Sequence, residues 1–202
     1  MKIPKSWNDI SFEQYNRLTE NKEMLEKIPN ETLRTATLLS LLTEYKRSEF
    51  LTLTVDEFEE IVNTVAFLAE DPVKTRKEKY IIDGEEYFLK EKLNLSTVGE
   101  QISFEICVQN LKDEKTAAIY AVALCLRKDL TAPFDPDLYN EMIEKVRKLP
   151  VDDFMYISAF FLLGVMEYTQ HFISFSKVQE SIVKVDLLEE EDKLIILSGS
   201  ES

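Results

Sequence analysis

Histidine is almost missing from this chain: His171 is the single one among 202 residues. A serine or cysteine nucleophile that needs an imidazole base would have to use it. No serine or cysteine has the local sequence of a nucleophile elbow. His171 stands in EYTQHFISF at the end of an apolar helical pattern, where an imidazole answers the helix dipole. Zinc is closed off more firmly, because a zinc site takes three or four Cys/His ligands at characteristic spacing. Cys107, Cys125 and His171 are the whole supply, 18 and 46 positions apart. With only 4 glycines there is no glycine-rich phosphate loop, so no nucleotide or other cofactor is expected.

Positive charge is also short. With 24 Lys/Arg against 38 Asp/Glu, the net charge of −14 repels phosphate backbones, and no basic cluster is long enough to offset it. Nucleic acid is therefore not an expected partner. No apolar run reaches the roughly 20 residues of a membrane helix. KIPKSWND after Met1 lacks the apolar segment of a secretory signal, so synthesis in a cytoplasm without membrane contact is expected. That leaves later incorporation into a particle open. Glycine and proline, at 4 and 6, are too few for a many-turned β fold and favour helices. Both cysteines fall inside apolar helical patterns, which predicts reduced, buried thiols.

What is present is a series of capped helices. Ser11 with Gln14 forms a reciprocal helix start, with Ile10 and Tyr15 as its hydrophobic staple and Trp7 pinning the entry onto the body. A second helix follows Pro29-Asn30 through ETLRTATLLSLLTEY, ended by a polar link, KRSEF. Thr54 with Glu57 opens a third, which puts Phe58, Ile61, Val62, Val65 and Leu68 at helical spacing before Asp71-Pro72 closes it. STVGEQISFEICVQNL and the well-buried DEKTAAIYAVALCLRKDL continue the pattern. Asp135-Pro136 then caps a helix with Leu138, Met142, Ile143, Val146 and Leu149 on one face.

One stretch departs from helical spacing. Tyr80-Ile81-Ile82 and Tyr87-Phe88-Leu89 flank Asp83-Gly84, a hairpin signal because the tight turn needs positive φ at both central residues. An isolated hairpin is marginal in water, so it must lie on a helix or pair with another edge.

The centre of the fold is expected after Pro150. Between Phe154 and Met166 the apolar side chains point nearly all round a helix, which predicts a rod enclosed by its neighbours. Carboxylates suggest no paired acid and base. Asp56, Glu57, Glu59 and Glu60 read as a helix N-terminus and a solvated face, and Asp152 and Asp153 read the same way. The Asp83-Gly84-Glu85-Glu86 turn lacks the alternating oxygens and twelfth-position Glu of a calcium loop.

Residues beyond Val178 differ in composition. Val183, Val185 and Leu187 alternate with polar residues, an acidic run follows from Glu189 to Asp192, and Leu194, Ile195, Ile196 and Leu197 come last. This is a second hairpin packed on the body, or a docking segment steered toward a basic partner. Phe172 and Phe175 form a second candidate contact patch. The chain reads as a mainly α, multi-helix globular bundle around a buried helix in its C-terminal third. The helical domain spans residues 1–178 with a hairpin at 80–89, and an acidic hairpin or tail spans 179–202.

The entry IPKSWNDISFEQYNRL, the ribbon YIIDGEEYFL followed by STVGE, and LPVDDFMYISAFFLLG together resemble small acidic proteins of tailed-phage structural gene clusters, especially phages of Bacteroides-type hosts. The resemblance implies a non-enzymatic role in building a virion, near capsid, portal or tail, with other phage structural proteins or further copies of itself as partners. A transient tail-assembly chaperone is the alternative it leaves open. The rival from another class is a small hydrolase or host-modifying enzyme. The resemblance carries no site residues over and places the chain in the host cytoplasm during synthesis, with the virion as a further destination.

Overall fold

A computed structural model of the protein describes residues 1–73, 75–92, 95–109 and 113–166. The chain divides into two units, Met1–Phe161 and Leu162–Ser202. The described residues form a mainly helical fold with one small antiparallel sheet.

The first unit opens with a 3-10 turn at Trp7–Asp9, then α1 (Phe12–Glu20), α2 (Lys22–Glu26), α3 (Glu31–Leu42), α4 (Arg47–Phe50) and α5 (Val55–Thr64). The anticipated caps set these starts. The Gln14 backbone N–H donates to Ser11 Oγ at 3.2 Å, and the Gln14 side chain accepts from the Ser11 backbone N–H at 2.7 Å. Thr54 and Glu57 repeat the exchange for α5 at 3.3 and 2.9 Å. Asn30 caps α3 by accepting from the Leu33 backbone at 2.8 Å. Trp7 pins the entry as expected: its indole N–H donates to the Glu70 carbonyl at 3.0 Å, and its ring meets Tyr15 and Phe67 edge-on.

Two segments differ from the sequence reading. KRSEF is not a polar link: it supplies α4, which buries Phe50 against Ala36, Leu39 and Val65. The helix opened by Thr54 does not run to Asp71-Pro72. It ends at Thr64, and a 3-10 turn at Ala66–Ala69 swings Phe67 and Leu68 onto the Trp7, Ile10, Leu42 and Val151 cluster.

The anticipated hairpin is formed by β1 (Tyr80–Ile82) and β2 (Glu85–Leu89), with Ile82 opposite Glu85. Asp83 and Gly84 take the required positive φ, 52° and 80°. Tyr80, Ile82, Tyr87 and Leu89 point inward and are buried. The other edge of β2 is paired with β3 (Leu126–Arg127), the edge contact that a lone hairpin needs.

The remaining helices are α6 (Val98–Gln109), α7 (Glu114–Cys125) and α8 (Pro136–Lys145). Burial of α7 is nearly complete from Ala121 through Cys125. Asp135 caps α8 through the Asp137 and Leu138 backbone N–H groups at 2.8 and 3.3 Å. Its covered face is Tyr139 and Met142, continued by Val146 and Leu149. Leu138, expected on that face, is exposed because Tyr139 takes the inward place in the first turn and reaches the Tyr120 carbonyl.

A ninth helix, α9, follows Pro150 and covers residues 151–161 of the first unit. Its start is stitched to α1: the Phe12 backbone donates to the Leu149 carbonyl at 2.8 Å, and the Val151 backbone to the Ile10 carbonyl at 2.9 Å. Val151, Phe154, Ile157 and Phe161 are buried, whereas Met155, Tyr156 and Phe160 are half-buried. The first turn, Val151 to Phe154, is buried on every side, and beyond it the helix is buried only on a helically spaced stripe, because the packed elements meet the side that Phe154, Ile157 and Phe161 share. In the second unit residues 162–166 are helical, and Leu162, Leu163 and Met166 are exposed. The expected C-terminal strand pair lies outside the described residues.

Candidate functional site

Three groupings of acidic side chains are joined to partners far along the chain, and one of them, Asp152 with Asp153, was expected on a helix N-terminus and solvated face. Glu100, in the first turn of α6, is buried at 3% exposure. Its carboxylate accepts from Lys90 Nζ at 2.6 Å, Arg127 Nη2 at 3.2 Å, and the Ser96 backbone and hydroxyl at 2.9 Å each. Burial pushes this carboxyl up, but Lys90 and Ser96 outweigh it and hold it at about 2. The cluster clamps the end of β2 and strand β3 to the start of α6. Thr97 and Glu100 make half of a capping box: the Glu100 backbone donates to Thr97 Oγ1, while the Glu100 side chain accepts from Ser96.

At the hairpin, Glu85 accepts from Lys128 at 2.6 Å, Lys145 at 2.8 Å and the Tyr87 hydroxyl at 2.7 Å, which together hold its carboxyl at about 2. Asp83 takes Lys148 at 2.7 Å. These pairs fasten the turn to the end of α8. Beside them lies a cleft of about 120 Å³ lined by Tyr87, Leu126, Tyr139, Met142, Lys128 and Lys145. Both lysines are already engaged by Glu85.

Asp152 and Asp153 correct the sequence reading most plainly, because they occupy the first turn of α9 but are buried, at 9% and 3% exposure. Asp153 pairs with Lys77 at 2.6 Å, and Lys77 also reaches Asn8. Burial raises the Asp152 carboxyl, Val73's backbone hydrogen bond lowers it, and the Asp153 charge raises it again. Asp152 Oδ1 has no hydrogen-bond partner among the described residues. The pair ties Val73 and Lys77 to the body.

The thiols are free and buried as expected, and burial pushes both Cys107 and Cys125 up to about 12. A thiol so raised is not a thiolate at neutral pH and is a poor nucleophile. Among the described residues, no group of three or more His, Cys, Asp or Glu is placed to hold a metal ion, and no helix is long and apolar enough to cross a membrane.

The residues singled out for contact, Leu194 to Leu197, Phe172 and Phe175, lie outside the described residues, as does His171. A different candidate surface lies wholly within the described residues. An opening of about 450 Å³ lies among α3, α4 and α5, lined by Thr32 and Thr35, by Leu51 and Leu53 after α4, and by Val55, Phe58 and Val62 on α5. Phe50 closes its floor. Glu31 and Glu59 are its charged residues. Phe58 and Ile61 pack half-buried on the Ala36, Leu39, Phe50 and Val65 cluster, so α5 has an apolar inner side yet no fully buried residue. Val55, Leu51 and Val62 face outward at 72%, 49% and 38% exposure. A wider opening of about 630 Å³ near the chain entry is lined by charges of both signs, among them Lys2, Lys5, Asp9 and Glu49.

Comparison with protein-family models, curated proteins and solved structures finds no match. The reading of this groove therefore rests on its residues. Helical spacing alone groups Val62 with Phe58 and Ile61, which hides the groove. A signal for it exists in the chain: no Lys or Arg occurs from Ser48 to Val73, while Glu49, Asp56, Glu57, Glu59, Glu60, Glu70 and Asp71 do.

Proposed function

We propose that the chain is a non-catalytic interaction protein of phage particle morphogenesis, a structural or adaptor component near capsid, portal or tail. The observation that carries the interaction role is the groove of α3, α4 and α5, whose lining joins Phe50, Leu51, Leu53, Val55, Phe58 and Val62 to polar residues and leaves Leu51, Val55 and Val62 exposed. A contiguous exposed apolar patch marks a contact surface, and these three side chains line one opening. The buried ion pairs of Glu100 and Asp153 join elements of this chain to one another, which suits a stiff adaptor. The phage setting is supported by the resemblance of IPKSWNDISFEQYNRL, YIIDGEEYFL and LPVDDFMYISAFFLLG to tailed-phage structural-cluster proteins. Leu194 to Leu197, Phe172 and Phe175 are proposed as further contact residues.

Mass spectrometry of purified particles tests the setting. A structural component is recovered at fixed stoichiometry with the other virion proteins. A transient tail-assembly chaperone would use the same groove to shield an apolar surface, and it is absent from finished particles while present in the infected cell. Absence from both overturns the phage reading.

A further inference from the structure

We propose that the groove of α3, α4 and α5 takes a basic amphipathic helix of a different protein. This deepens the interaction reading above and rests on it.

Shape argues for a helix. The groove is walled by helices and offers no open sheet edge, so an added strand would find no backbone partners there. Its α5 wall runs from Val55 to Val62, eight residues whose seven rises of about 1.5 Å span about 10 Å. That length matches anchors at i, i+3 or i+4, and i+7 on an incoming helix, two turns of contact. Buried Phe50 and half-buried Phe58 in the lining give such anchors an apolar seat.

Charge argues for a basic partner and against a second copy. Both charged residues in the lining are glutamates, and the stretch from Ser48 to Val73 holds seven acids and no Lys or Arg. Two copies meeting at this face would bring like charges together, which costs several kcal/mol by the general rule for mismatched interfaces. The chain's own Leu194–Leu197 run follows the acidic residues Glu189 to Asp192 and brings the same sign. Lys or Arg flanking an apolar stripe would instead pair with Glu31 and Glu59 at the rim and speed encounter.

The test is a display library of helices about 20 residues long, enough to be helical alone. All share one Leu stripe, and their polar faces are built from Lys/Arg, Ser/Gln or Asp/Glu. They are selected on the full chain and on its Val55→Asn/Val62→Asn form, whose exposed positions leave the fold intact by circular dichroism and thermal unfolding. Lys/Arg helices are expected to be enriched over Asp/Glu helices, and to lose binding about tenfold or more on the double substitution. Glu59→Lys is expected to shift the preference toward acidic helices. Equal enrichment of all three faces, still lost on the double substitution, overturns the basic partner and leaves the groove as a contact surface. Binding that ignores the double substitution, or no enrichment at all, overturns the groove itself and with it the interaction reading. Self-association in sedimentation that the double substitution abolishes puts a second copy there and overturns the proposal.

Discussion

The rings of Phe12 and Phe154 stack face to face, with centroids 3.4 Å apart and planes 8° from parallel. They lock α1 to α9 beside the backbone bonds that Phe12 and Val151 make across the same junction. Both residues are nearly fully buried, at 4% and 1% exposure. Phe154→Ala is expected to destabilise the fold by about 3–5 kcal/mol, the usual range for a core Phe truncation. Leu138→Ala, on the exposed side of α8, should stay within about 0.5 kcal/mol. Urea unfolding of the two variants measures the contrast, and equal losses would mean that the α1–α9 junction is not the core.

Gly99 sits in the first turn of α6, where a glycine ordinarily costs little. A Cβ there would stand 2.7 Å from Phe134 Cδ1 and 2.9 Å from Cε1. The Phe134 ring cannot yield freely, since it lies under Arg127 at 5.3 Å and against Tyr139 at 5.6 Å. Gly99→Ala should therefore lower stability by about 1 kcal/mol or more, overpacking outweighing the gain in helix propensity. In a Phe134→Ala background the same change should become stabilising. A double-mutant cycle in urea shows whether the sign reverses.

Glu100 predicts an acid limb. Its folded carboxyl is held at about 2 against an ordinary 4.5, so its contribution is fully present above 4.5 and is lost as pH falls toward 2. Glu100→Gln leaves Lys90 and Arg127 without their buried anion and should cost about 3 kcal/mol at pH 7. Between pH 4.5 and 2.5 the variant should lose less stability than the parent. Parallel curves over that range would show that the clamp does not titrate.

Asp152 predicts the opposite slope. Burial raises its folded carboxyl above the ordinary 3.8, so its effect is most favourable below 3.8 and is lost as pH rises through the raised value. Asp152→Asn removes a poorly solvated charge beside Asp153 and keeps an acceptor for Val73. Its urea midpoint at pH 7 should rise. Asp153→Asn strips Lys77 of its partner and should lower the midpoint, so two adjacent and chemically identical substitutions are expected to act with opposite sign.

Much of the helical skeleton was legible before any coordinates. Ser11 with Gln14, Thr54 with Glu57, Asn30, and Asp135 before Pro136 each mark a helix start through contacts within four residues, and Asp83-Gly84 marks the hairpin through φ alone. Reading failed where a residue's surroundings come from far along the chain. Asp152 and Asp153 look like any acidic first turn until Val73 and Lys77 cross them. KRSEF looks like a link until Phe50 meets Ala36 and Leu39. Val62 has the helical spacing of an inward residue, but α3 covers only part of α5.

Local sequence sufficed for the mainly helical class, where most helices begin, the tight turn at Asp83-Gly84, and the burial of both thiols, because caps, φ preferences and apolar periodicity act over a few residues. Long-range packing settled which carboxylates became buried clamps, that β3 would complete the sheet, that α9 would be buried on one stripe past its first turn, and that Leu51, Val55 and Val62 would be left facing water. Those outcomes depend on which surfaces meet across the chain, and burial and Coulomb energy are set by that meeting rather than by neighbours in sequence.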